Sequence, residues 1–199
     1  MKWGKAGRRP EHFSMGNHLI KPAVRVLFLF ASRERALNQT IRALRKYLAL
    51  ADGLSLEAGA CQVEVPPMPG VDEDMRRWSF HMILQHNSIV NRSISATIRQ
   101  LCSGETLSGA AVIDPKRDVM PDSSAGRETI LQFQDSVNEH VGMMKALGRL
   151  RGTKTSRHPL FGQFDAHQWN CMFAFHLGLH HAQAQRVVRE ANNRRVRPA

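Results

Sequence analysis

Apolar residues recur along this chain at helical spacing, and no stretch alternates convincingly in the manner of a strand. Four helices are predicted. The first runs from about Phe30 to Ala51, with Phe30, Leu37, Ile41, Leu44 and Leu48 spaced by threes, fours and sevens, and Asp52-Gly53 closing it. A loop follows, its direction fixed by PPMPG at 66–70. The second helix starts near Asp72, where Asp72, Glu73 and Asp74 suit the positive end of a helix dipole, and runs to about Cys102. A polar loop, roughly 105–122, leads to the third helix. This spans about Ala125 to Leu147, with Ile130, Phe133, Val137, Val141 and Met144 inward. A basic loop and His158-Pro159 precede the fourth helix. It begins at Asp165, which with Gln168 forms a capping box, and continues to about Ala191. Four helices of about twenty residues or more, joined by loops, predict an all-α four-helix bundle; the two long loops leave the connection order open.

Three histidines in FHLGLHHAQ (175–183) sit inside the fourth apolar segment, and buried imidazoles need partners for both ring nitrogens. Projection at ~100° per residue decides which of them face inward. On the fourth helix His176 and His180 lie ~20° to either side of Trp169, at the centre of the stripe with Phe173, Ala184 and Val187. His181 is turned ~100° toward the flank. On the second helix His86 falls ~80° from Trp78, mid-arc among Met82, Ile83, Ile89, Val90, Ser93 and Ile94. His81 falls ~60° from Trp78 in the opposite sense, off the arc. Two imidazoles one turn apart and a third from another helix are a ligand set for a divalent ion. Three protein ligands leave a position open, as catalytic sites do. His86, His176 and His180 are therefore the candidate metal ligands. Taken singly, each reads better as a core histidine bonded to a carbonyl or carboxylate; it is the convergence of three that favours metal.

Charge changes the picture at the ends only. The net charge is +11; residues 1–22 carry +4 of it and residues 186–199 another +4. This predicts a basic, flexible N-terminal tail (1–22), a bundle domain (23–191) and a basic C-terminal tail (192–199). Such tails attract polyanions weakly, and nucleic acid is not the expected partner. Cys61, Cys102 and Cys171 are odd in number and show no CxxC spacing, which fits a reducing, cytoplasmic setting. VRVLFLFA (24–31) is far shorter than a membrane span and is broken by Arg25, so no membrane association is expected.

WSFHMILQHN (78–87), with tryptophan opening a helix and histidine two turns on, resembles the second helix of the DinB/YfiT-like metalloenzyme superfamily. HPLFGQFDAHQW and HLGLHHAQ resemble its closing helix, with signature H-x-x-x-H-R-G-Q. His176 and His180 match the two histidines and Gln183 the glutamine, whereas His181 and Ala182 stand where arginine and glycine are frequent. VPPMPGVDED also resembles the family's loop. The likeness covers about residues 30–190. It implies an up-down-down-up four-helix bundle, often a homodimer, with a divalent metal (Zn, Ni or Fe) on His86, His176 and His180. It further implies a thiol-dependent S-transferase type of activity on a small-molecule substrate, with a low-molecular-weight thiol as co-substrate.

The remaining candidates are read more plainly. His140 lies ~60° off the stripe of its helix and reads as a satisfied edge histidine. His158 belongs to a turn, Trp78 and Trp169 wall the core, and Gln183 could orient a ligand imidazole or a bound water. Cys171 lies on the far side of its helix from His176. No nucleophile–base pair, phosphate-binding loop or dinucleotide motif is present. The competing expectation is a non-enzymatic bundle in which a metal only staples two helices, with the basic tails docking on an anionic partner.

Overall fold

The structure, a computed structural model, describes residues 16–103 and 118–196, with side chains from 21 to 103 and from 118 to 194. Among these the fold is mainly helical. In chain order it comprises α1 (Gly16–Phe30), α2 (Arg33–Asp52), α3 (Leu56–Ala60), a single 3₁₀ turn (Glu73–Met75), α4 (Phe80–Ser103), α5 (Glu128–Ala146), a hairpin of β1 (Ser156–His158) and β2 (Gly162–Phe164), and α6 (Ala166–Val196). None of these helices is long and apolar enough to cross a membrane.

The long helices α2, α4, α5 and α6 pack in a ring: α2 on α5 and α6, and α4 on the same two. Contacts advance together along α4 and α5, from His81–Thr129 to Asn91–Ser136 and Ser95–His140. They run oppositely along α4 and α6, where Trp78, just ahead of α4, meets His180 and His86 meets His176. Trp78, Phe80, Ile83, Phe133, Val137, Phe173 and Leu177 fill the centre at 2 % exposure or less. Each such side chain contributes about 1.5–3 kcal/mol of burial energy.

Three boundaries differ from the periodic reading. The first concerns α1, which that reading does not anticipate as a helix. It takes in residues 16–22, assigned above to the basic tail, and packs on α6 through Phe28, whose ring meets Phe175 edge-on. Residues 1–15 and 197–199, and with them the rest of the proposed tails, lie outside the described residues, as does 104–117 of the polar loop. Ser32 divides α1 from α2, its side chain accepting from Arg35 N–H, and so Phe30 ends α1 at 84 % exposure instead of entering the core. The inward face of α2 is accordingly rotated onto Ala36, Thr40, Ala43, Leu44 and Tyr47.

Second, α4 begins eight residues later than Asp72. The acidic run forms only the 3₁₀ turn, because the Arg76 carbonyl is taken by Val65 N–H (2.9 Å) while Arg76 Nε donates to Val65 O (2.8 Å). Ser79 then caps α4, its Oγ accepting from Met82 N–H. Gly70, at φ +74°, makes the turn within PPMPG that an L side chain would strain. Third, α6 continues beyond Ala191 to Val196, and a short hairpin precedes it that strand alternation did not reveal. The capping box is present: Gln168 N–H donates to Asp165 Oδ1, and Asp165 N–H to Gln168 Oε1.

Candidate metal centre

The three histidines chosen by helical projection come together. His86 from α4 and His176 and His180 from α6 offer ring nitrogens that all lie within 4.8 Å of one another, a group that could hold a metal ion. Among the described residues no fourth histidine, cysteine or carboxylate joins them.

Two of the three rings are oriented by the outer nitrogen. His86 Nδ1 donates to Val119 O at 2.7 Å, and His180 Nδ1 donates to Gln183 Oε1 at 2.8 Å. Gln183 is itself fixed, its amide nitrogen donating to Met75 O at 2.7 Å. Both rings are thereby held in the tautomer that leaves Nε2 with a free lone pair. Gln183 therefore orients an imidazole as anticipated, and the imidazole is that of His180. The late start of α4 takes part here, since the 73–79 segment supplies both the Met75 carbonyl and Trp78. The Trp78 indole lies 4.9 Å from the His86 ring and stacks over His180 at 6.3 Å.

His176 completes the group and poses a difficulty of its own. Its Nε2 faces Nε2 of His86 at 3.3 Å, and its Nδ1 is buried with no partner. If His176 carries its proton on Nε2 it can donate to His86, and the buried Nδ1 lone pair is orphaned. If the proton is on Nδ1, that donor is orphaned and two lone pairs confront each other. Neither neutral tautomer satisfies the site, although buried polar atoms are ordinarily paired. A cation between the two Nε2 atoms removes the confrontation: nitrogens each about 2.05 Å from a tetrahedral ion are about 3.3 Å apart.

A proton is a poor candidate for that cation. Burial, reinforced by His180, pushes His86 down to about 3. Burial, then the neighbouring histidines His180, His86 and His158, holds His176 well below the ordinary histidine range, and burial lowers His180 too. In all three the shift favours the neutral ring, the form in which imidazole binds metals.

The other histidines are placed elsewhere. His81, expected outside the core, is buried: Gly59 of α3 lies so close over its ring that a Cβ there would collide with it, and Thr129 flanks its Nδ1. The projection missed this because α3 covers the flank of α4 that looks solvent-facing on α4 alone. His140 is satisfied as expected but fully buried, with Ser95 Oγ on Nδ1 at 2.9 Å, Asn170 Oδ1 on Nε2 at 3.1 Å, and its ring stacked on Phe173. His158 is a turn residue whose Nδ1 accepts from the Leu160 and Phe161 amides. His181 lies on the flank, edge-on to Tyr47. Cys171 stands beside His167, and burial pushes its thiol up to about 12, so it offers no ready thiolate. Tyr47 was not singled out in the sequence; its hydroxyl donates to Leu177 O and accepts from Asn87, tying α2 to α6 and α4 just behind the cluster.

Searches against known protein families, curated proteins and solved structures find no match to this chain.

Proposed function

We propose that the protein is a metal-dependent enzyme of the DinB/YfiT-like kind, with a divalent ion on His86, His176 and His180 and a thiol-dependent S-transferase type of activity on a small electrophile. The observation that carries the metal is the convergence of three neutral imidazoles whose proton positions cannot satisfy one another. The helix pairings along α4, α5 and α6 support the up-down-down-up bundle that goes with this reading. An ion held there by uncharged ligands supplies Lewis acidity and lowers the pKa of a small thiol. The chain's own residues orient and shield. Val119 and Gln183 fix the His86 and His180 rings, and Trp78 excludes water from one side. The absence of a fourth protein ligand among the described residues supports an open position for substrate.

A second reading rests on the depth of the site. His86, His180 and Trp78 are each only 2 % exposed, which favours an ion that staples α4 to α6 and performs no chemistry. Elemental analysis of protein purified without a histidine tag tests what both readings share: about one divalent ion per chain is expected. Adding small thiols to Co²⁺-loaded protein separates them. A sulfur-to-metal charge-transfer band supports the transferase, and its absence with several biological thiols leaves the staple.

A further inference from the structure

On the side of α6 turned away from His176 and His180, a groove of about 550 Å³ runs between α2 and α6. That volume lies within the range of small-molecule sites, roughly 300–1,000 Å³. Of the residues that line it, Gly178 projects about half a turn around α6 from His176 and His180, with Phe175 and His181 to either side at ~100–140°. Small residues open the space: Ala36 and Ala43 line it from α2, Ala174 and Gly178 from α6, and a Cβ on Gly178 would meet nothing within 4 Å.

The two ends of the groove differ in chemistry. Toward the α1–α2 junction the lining is mostly apolar, with Leu27, Phe28, Ala31 and Phe175 around Arg35. Toward the other end Arg42 and Lys46, one turn apart on α2, stand near His181, with Arg35 further back along the same face. None of these three cations is ion-paired among the described residues, and no Asp or Glu lines the groove. An apolar trough ending in unneutralised cations is complementary to a molecule with a tail and an anionic head. The charge also weighs against two other occupants. The first fifteen residues carry Lys2, Lys5, Arg8 and Arg9 against Glu11, and a second copy brings a chain of net +11. Either would set like charges together.

We propose that this groove is a binding site for a free single-chain amphiphilic anion, its carboxylate on Arg42 and Lys46 and its unbranched apolar tail along Ala36, Ala174 and Phe175 toward Leu27. Dodecanoate, kept below its micellar range and titrated into the full chain by equilibrium dialysis, should bind saturably at about one per chain. Dodecyltrimethylammonium, with the same tail and the opposite charge, should bind at least about tenfold more weakly. The exposed double variant Arg42→Glu/Lys46→Glu should also lose about tenfold or more, whereas Arg92→Glu/Arg99→Glu on α4, with the same change in net charge, should bind as the native chain does. Gly178→Phe should fill the trough and abolish saturable binding while helical circular dichroism and Tm are retained. Non-saturating uptake, equal affinity for the two head groups, or native affinity in Arg42→Glu/Lys46→Glu would overturn the proposal.

Discussion

Two buried histidine sites border α6, one around His140 of α5 and one around His86, His176 and His180, and they are resolved in opposite ways. Around His140 every ring nitrogen has a polar partner, Ser95 on one side and Asn170 on the other, and an aromatic face beneath it. Around His86, His176 and His180 the outer nitrogens are partnered for two rings only, while the inner nitrogens point at one another. Both are deeply buried, so burial does not distinguish them. Satisfaction of the rings does: both nitrogens of His140 are bonded, which ties α4, α5 and α6 together even though Asn170 Nδ2 is left without a partner, whereas Nδ1 of His176 has none and its group could hold a metal ion.

The sharpest way to break this comparison is to remove ligands from the second cluster and ask about metal. The double variant His176→Ala/His180→Ala should contain essentially no divalent ion by elemental analysis, against about one per chain in the native protein. His140→Ala should retain the native content. Full occupancy in the double variant would place any metal elsewhere.

Stability should respond in the other sense. Truncating His140 leaves Ser95 and Asn170 without their partner and a void over Phe173, at a cost of about 2–4 kcal/mol in urea unfolding. A loss under about 1 kcal/mol would mean that water or repacking restores the network.

Acid should probe the same ring. Burial holds His140 down to about 4 in the folded chain, against 6.5 for an unperturbed histidine. As pH falls, the unfolded chain takes up this proton first, so stability is lost from about pH 6.5 down to about 4 and levels below that. The contribution of this ring is about 3 kcal/mol. His140→Gln, which keeps an amide donor and acceptor, should flatten that part of the pH–stability curve measured by urea unfolding. An unchanged slope would assign the acid sensitivity to other histidines.

The smallest effect should come from the residue that only orients. Gln183→Leu keeps all three ligands but frees the His180 ring, and metal affinity should fall about 10–100-fold without loss of the site. An unaltered affinity, measured by competition with a chelator, would show that the His180 orientation is set by Trp78 packing alone.

Helical period was enough to bring His86, His176 and His180 to one place, because each helix carries its own apolar stripe and a residue at the centre of that stripe faces the core whatever the neighbours are. The inward set on α5 and the capping box of α6 were legible for the same reason, since both depend on residues within a turn or two of one another. What the stripe cannot resolve is its edge. His81 and His140 sit there, and their burial was decided by α3 lying over one and by Ser95 and Asn170 closing on the other. Long-range pairing was likewise invisible: the Val65–Arg76 contact delays α4, and that delay places Met75 and Trp78 against the cluster. The sequence by itself determined the centres of the α4 and α6 stripes, a property of local geometry. The proton arrangement that leaves His176 unsatisfied was decided only by tertiary structure, because it depends on which distant carbonyl or amide each ring happens to meet.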